Sequence, residues 1–347
     1  MRISLHLAYW GVGPGAHELA PVAREAERLG YDCIWIGEAY GSDVATCLAW
    51  VAAATQTISI GSAIAQIPAR SPTATAMMAA SLDTLSGGRL RLGIGPSGPQ
   101  VAQGWYGQPF NPQLQRTREY VELVRRTLRR EPAVSDGELY PLPTGGQRPL
   151  KLITGPVQEQ IPVYLPAIGP KSTHLVGEIA DGWLPIFVAP EHLAEQRAEL
   201  DAGLAAAGRP QDAVAIAPTA YGRIDPDPDA ARDALRPVTA LYTGGMGSRE
   251  KNFYNALMRS YGFADDAGRV QDLYLGGKKA EAEAALPAAF IDMVGLCGTE
   301  ADVARRLAEH AAAGVDELLI SIIAEGLEDR LEQLRRFARA ASLPGAG

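Results

Sequence analysis

The sequence predicts an α/β fold, and within that class a (β/α)8 TIM barrel carrying insertions. Three observations carry this reading. The segment from Ile58 to Gly98 reads as strand, amphipathic helix, Gly-Gly turn and second strand. A phrase of amphipathic helix, glycine and apolar strand recurs near both ends (REAERLGYDCIWIG and RLAEHAAAGVDELLIS). Eight short apolar runs are spread along 347 residues, most of them separated by helical patterns. A βαβ unit requires a right-handed crossover, and eight parallel strands with outer helices close into a barrel whose binding loops follow the C-terminal strand ends.

The elements follow in chain order. Ile3–Leu7 is the first strand. Leu19, Val22, Ala23, Ala26 and Leu29 line one helix face, and Gly30 can close that helix as a left-handed cap. Cys33–Ile36 and Ile58–Ala63 are the next strands. Met77, Met78, Ser81, Leu82 and Leu85 recur at helical spacing before the strand Leu90–Ile94. Val163–Leu165, Gly182–Ile186, Val214–Ala220 and Leu318–Ile323 complete the eight. Before the last strand, Thr299 and Asp302 stand at capping-box spacing, Val303, Leu307 and Ala311 form the stripe, and Gly314 ends the helix. Two gaps exceed a plain crossover: 131–162, with Pro and Gly at turn spacing, predicts a hairpin or extended loop, and 222–297 predicts a polar, mainly helical insertion. With no interdomain linker, residues 1–347 read as a single barrel domain.

Composition narrows the function classes. Hydrophobic content of 47% with 21% charged residues is ordinary for a globular protein, and a net charge of −8 argues against nucleic acid or an anionic membrane as partner. Cys33, Cys47 and Cys297 are scattered inside apolar runs, as expected of buried thiols in a reducing cytoplasm rather than a disulfide framework or zinc site. No apolar run reaches the length of a membrane span, so a cytoplasmic location is expected.

Several residues could carry chemistry, each with a plainer reading beside it. Gly93-Ile94-Gly95-Pro96-Ser97-Gly98 matches G-x-G-x-x-G, but that fingerprint needs a helix beginning within it. Pro96, Pro99 and GWYGQPFNP are expected to delay regular helix to about Thr117, so the loop reads as small residues that admit a flat ligand. Glu38 ends the second strand, where a carboxylate is a catalytic or binding candidate or else a loop acid, while Asp43 reads as a helix N-cap. Tyr9 and Trp10 stand at the same level as cofactor-slot walls or core packing. His6 is placed to face the barrel interior. His17, His174, His192 and His310 read as surface residues, and the five histidines form no metal-ligand spacing. Gly169-Pro170-Lys171-Ser172 leads into a helix whose N–H groups suit a phosphate, or is a simple capped turn. Arg249, Lys251 and Arg259 with Tyr254 and Tyr261 form a solvated helix face, or meet an anionic substrate if the insertion covers the barrel mouth. Hydrolase and nucleoside-triphosphate motifs are absent.

Taken in order, GEAYGSDVATCLAWVAAAT, IGSAIAQIPARSPTATAMMAASLDTLSGGR, LGIGPSGPQVAQGWYGQPF, LPAIGP and IADGWLPIF resemble the luciferase-like monooxygenase superfamily. Within it they are similar to the actinobacterial branch of coenzyme F420-dependent oxidoreductases. The resemblance implies a deazaflavin at the C-terminal mouth and a non-proline cis peptide at Ala63–Ile64. It implies the ring edge near Glu38, Ala39, Ser62, Ala63, Ile64 and Gln66, and the tail phosphate near Pro96, Ser97, Gly98, Gly169, Pro170 and Lys171. Two departures stand out. Sugar-phosphate dehydrogenases of the family carry Asp-His after the second strand and Gly-Glu after the fourth, where this chain has Glu38-Ala39 and Ser97-Gly98. Glu38 and Tyr9 remain as proton-transfer candidates, with Trp10, Arg249, Lys251 and Tyr254 on the substrate side.

The expected reaction is hydride transfer between C5 of F420 and a small or peptide-borne substrate, by preference reducing an activated C=C or C=N bond, with alcohol oxidation next. The competing readings are an FMN-dependent monooxygenase on the same barrel and a catalytically inactive F420-binding protein. Homodimers are usual in the family, although no interface can be read from the sequence.

Overall fold

Eight parallel strands pair side by side until the last meets the first, closing a TIM barrel; the computed structural model describes residues 1–247, 249 and 252–346. The strands are β1 (Arg2–Leu7), β2 (Cys33–Ile36), β3 (Ser59–Ser62) with its offset continuation β4 (Ala65–Gln66), β5 (Leu90–Gly95), β6 (Val163–Leu165) and β7 (Gly182–Trp183). The run predicted as one strand over Val214–Ala220 is broken into β8 (Ala215–Ile216) and β9 (Thr219–Ile224). Pro218 explains the break, because it has no N–H to give to a ladder. At that point the chain changes partners, from β7 through β8 to β11 (Glu317–Ile322) through β9. A short strand that the apolar runs do not mark, β10 (Leu296–Gly298), adds to the outer end of β9.

The helices are α1 (Leu19–Leu29), α2 (Val44–Ala54), α3 (Pro72–Ser86), α4 (Pro99–Gly104), α5 (Gln113–Leu128), α6 (Pro170–Ile179) and α7 (Leu193–Ala206), then α8 (Pro228–Ala240), α9 (Phe253–Ser260), α10 (Ala264–Leu275), α11 (Lys279–Ala284), α12 (Ala288–Val294), α13 (Glu300–Ala312) and α14 (Gly326–Ala340). Where local signals are strong, the expectations hold. The five predicted residues of α1 are its buried face, and Gly30 caps it at φ 88°. Thr299 and Asp302 form a reciprocal capping box.

Three expectations fail for identifiable reasons. On α3 the buried face is Thr75, Ala76, Ala79, Ala80, Leu82 and Asp83, while Met77 and Leu85 are exposed. The helix is apolar nearly all round, so periodicity selects no face, and the small residues permit close packing between α2 and α5. Regular helix after β5 resumes at Pro99 and again at Gln113, ahead of Thr117: proline suits the first position of α4, and the extended Pro112 stands before α5 as its N-cap. His310 is 1% exposed rather than on the surface, since its spacing from Leu307 puts it on the inner stripe of α13. Residues 131–162 contain one antiparallel bridge, Ser135 to Leu142, and Asp83 anchors this segment by accepting from the Val157 and Gln158 N–H groups at 2.7 and 2.9 Å.

Inward side chains stack in layers. At the N-terminal end Glu317, fully buried, accepts from Ser4 Oγ (2.6 Å), Trp35 Nε1 (2.8 Å) and Arg91 (2.9 Å), with Arg2 at 3.3 Å. Above it Trp35 meets Tyr164 edge-on at 4.9 Å, packed by Cys33, Leu184, Ala217 and Leu319. Two glycines make room for this layer: a Cβ on Gly61 would enter the Trp35 ring, and one on Gly182 the Tyr164 ring. His6, Tyr221 and Ser321 form the top layer, which is the floor of the mouth.

Candidate functional site

The site begins where β3 ends. The peptide between Ala63 and Ile64 is cis, and both residues are half-buried at the mouth. The chain then steps sideways so that Ala65 and Gln66 pair with Ile94 and Gly95. Ser62 sits behind this bulge. Its hydroxyl donates to the Gly93 carbonyl (2.8 Å) and accepts from the Gly93 N–H (3.0 Å), and the residue is fully buried. Ser62 therefore supports the bulge, and its hydroxyl is already committed to Gly93. Below the bulge, His6 Nδ1 lies 3.2 Å from Ser321 Oγ. Burial lowers the His6 pKa to about 4 against the upward pull of the Ala63 carbonyl, so the imidazole is neutral at pH 7.

Glu38 is the clearest correction. Its carboxylate accepts from the Val44 N–H (3.2 Å), the Gln66 N–H (2.9 Å) and both terminal nitrogens of Arg70 (2.7 and 2.8 Å). With its side chain 2% exposed and both oxygens committed, it clamps the loops after β2 and β3 together. Arg70 also pairs with Asp43, which caps α2 by accepting from the Thr46 N–H at 2.8 Å. Sequence reasoning missed Arg70, although it is the one cation in the loop AQIPARSP after the third strand. Gln66 extends the clamp, its amide donating to the Glu38 carbonyl (2.9 Å) and Ser97 Oγ (3.0 Å). Ser97 adopts φ 61° between Pro96 and Gly98, where α4 starts. Beside the clamp, a recess of about 460 Å³ is lined by Ala39, Tyr40, Arg70, Trp105 and Tyr106.

Aromatic residues wall the opposite side. Phe187, Tyr221, Tyr242 and Tyr254 form a continuous cluster with ring centroids 4.8–6.1 Å apart. Tyr9 faces this wall from the end of β1. Burial raises its phenol pKa, and the neighbouring Tyr242 and Tyr40 phenols add to the shift, so it stays protonated at neutral pH. Tyr254 is part of this wall, and the described basic residues near it have partners of their own. Arg249 pairs with Asp272, and Arg259 donates to Asn255 (2.8 Å); Lys251 lies outside the described residues. Trp10 stands at the rim, 38% exposed, its N–H donating to Ser42 Oγ at 3.3 Å. On the far side α6 starts from Gly169, with Pro170 and Lys171 exposed. The N–H groups of Lys171 and Ser172 have no intrahelical acceptor and present a partial positive charge.

The mouth therefore joins a flat bulge, a neutral polar floor, an aromatic wall and a cationic helix start. The chain matches known proteins along nearly its whole length. A protein of Mycobacterium tuberculosis named "Putative coenzyme F420-dependent oxidoreductase Rv3520c" is 41% identical over 330 residues, covering 92% of this chain and 95% of its own. A 5,10-methylenetetrahydromethanopterin reductase of Archaeoglobus fulgidus is 29% identical over 309 residues, 87% of this chain and 89% of its own. The solved coenzyme F420-dependent tetrahydromethanopterin reductase of Methanopyrus kandleri superposes with a TM-score of 0.83 at 24% identity, covering 97% of this chain and 98% of that one. The profile of the family described as Luciferase-like monooxygenase matches residues 4–317, and the chain belongs to that family.

Proposed function

We propose that this protein is a coenzyme F420-dependent oxidoreductase acting on a small molecule, and that it reduces an activated C=C or C=N bond. The observation that carries the reading is the mouth itself. The half-buried Ala63–Ile64 bulge suits the face of a flat ring, and the α6 start with Lys171 suits a phosphate on the same ligand. The F420-dependent relative at 41% identity supports the choice of cofactor. When bound, F420 supplies or accepts a hydride at C5 of its deazaflavin.

The chain's own residues then have distinct tasks. Ala63 and Ile64 back the ring, Ala39, Gln66 and Ser97 border it, and Pro96, Gly98, Gly169, Pro170 and Lys171 hold the tail. Glu38 positions the loops rather than moving a proton. The direction follows from proton chemistry. Oxidising an alcohol needs a base, and among the described residues the carboxylate closest to this role is already saturated by Arg70. Tyr9, kept protonated by burial, is suited to give a proton or hydrogen bond, as a reduction requires.

Titration of the purified protein with F420 and with FMN tests the reading. F420 should bind at micromolar or lower concentration and FMN far more weakly. Lys171→Ala should weaken F420 by about tenfold, the value of one charge at a helix start. Binding of FMN alone would overturn the proposal.

A further inference from the structure

The aromatic wall contains a hydroxyl pair, Tyr221 and Tyr242. Tyr221 donates to the Tyr242 hydroxyl over 3.3 Å, which leaves the Tyr242 hydrogen free for another acceptor. The local backbone is built around this residue. At the end of α8 the chain widens into a π turn over Leu241–Gly245, a geometry that puts its carbonyls out of register and is frequent at functional sites. Two buried asparagines satisfy those carbonyls. Asn252 donates to the Tyr242 and Thr243 carbonyls, both at 3.0 Å, and Asn255 donates to Thr243 (2.9 Å) and Ala267 (2.7 Å).

The rings beside Tyr242 are fixed as well. Tyr254 and Phe187 stand nearly perpendicular to it at 4.8 and 5.3 Å. Phe187 is held at φ 56° by Tyr261, whose hydroxyl donates to its carbonyl at 3.1 Å. Among the described residues, the charged groups close in sequence to the wall are paired, Arg223 with Asp329 and Arg249 with Asp272, as is Glu38 with Arg70 on the opposite side. A slot edged by aromatic rings, with the Tyr242 phenol as a donor and the charges described around it paired, favours a flat, uncharged ligand with a strong acceptor.

Resting on the deazaflavin reading above, we propose that Tyr242 donates the hydrogen bond that activates the substrate, and that the substrate is a neutral, planar α,β-unsaturated carbonyl compound. A hydride taken from the reduced cofactor forms the new C–H bond at the β-carbon. The C=C electron pair shifts toward the carbonyl, whose oxygen gains negative charge against the Tyr242 O–H, and a solvent proton completes the α-carbon. The substrate gains two electrons and two hydrogens, and the cofactor is left oxidised. The Tyr242 contact strengthens as charge develops on oxygen, so it acts mainly on kcat.

The test uses the protein loaded with reduced F420, with 2-cyclohexen-1-one, cinnamaldehyde and 4-carboxycinnamaldehyde as probes. The two neutral probes should be reduced. The carboxylate should react at least about tenfold more slowly in kcat/KM, because it enters without a counter-ion. Tyr242→Phe should lower kcat roughly 100-fold, the usual effect of removing one oxyanion donor. Its KM should change little, and an unchanged Kd for F420 shows that the variant is folded. Wild-type kcat in Tyr242→Phe, preference for the carboxylate, or F420 binding with no reduction of either neutral probe would each overturn the proposal. Failure to bind F420 at all would instead overturn the cofactor reading beneath it, and the titration separates the two cases.

Discussion

The two ends of the barrel interior draw on the same strands and hold polar groups in opposite ways. At the N-terminal end Glu317 has Ser4, Trp35, Arg91 and Arg2 around it, and Asp32 lies 2.7 Å from Arg91. A recess of about 420 Å³ opens there, lined by Arg2, Tyr31 and Asp32 among others, but its charges are already matched. At the C-terminal end the Tyr9 and Tyr254 hydroxyls have no hydrogen-bond partner among the described residues, and Tyr242 keeps a free hydrogen. The layer of Trp35 and Tyr164 separates the two ends. A buried charge left unpaired costs several kcal/mol, so the closed end must be saturated, whereas the open end can leave polar groups for a ligand to complete. One end is closed by its own pairs, and the other leaves polar groups open.

Removing the central acceptor of the closed end should have the largest effect. Glu317→Ala leaves Arg91, Trp35 and Ser4 without their partner, and urea unfolding should show a loss of about 3–5 kcal/mol. A loss below about 1 kcal/mol would break the comparison, because the ion cluster would then not be holding the barrel.

The histidines sharpen it further. Burial, helped by the Arg306 charge, lowers the His310 pKa to about 4 from an ordinary value of 6.5. The unfolded chain therefore binds the proton first. The stability tied to the neutral ring is fully present above pH 6.5 and is lost as pH falls toward 4. Comparing unfolding at pH 7 and pH 4, His310→Gln should lose on the order of 3 kcal/mol less than wild type. His6→Gln should show the same sign and a comparable change, since burial lowers the His6 pKa to about 4 as well.

Glu38 lies at the mouth yet is saturated like the closed end, so it probes the boundary between the two. Glu38→Gln should cost about 2 kcal/mol through the weakened Arg70 pair. It should leave the pH profile of kcat in place. A displaced profile would return Glu38 to a proton-transfer role.

Much of the molecule could be read locally. The face of α1, the Gly30 cap, the Asp43 N-cap and the capping box at Thr299 depend on residues within about one helical turn, so spacing alone reveals them. The faces of α3 could not be read that way, because apolar residues surround that helix and only its packing against α2 and α5 distinguishes them. β10 escaped notice because a three-residue strand that ends in a glycine carries no usable alternation.

The site divides along the same line. Chain order and the motifs quoted from it already placed Tyr9, Ala63–Ile64, Ser97 and Lys171 at strand ends and loops that face one mouth, since in a parallel barrel every C-terminal strand end points the same way. What each side chain does there depends on partners far away in sequence. Arg70 reaches Glu38 across 32 positions and makes it a clamp, Gly93 consumes the Ser62 hydroxyl from 31 positions away, and Tyr221 frees the Tyr242 hydrogen from 21. Element identity arises from short-range periodicity and capping, whereas a polar group's role depends on whether folding brings it a partner or leaves its valence open.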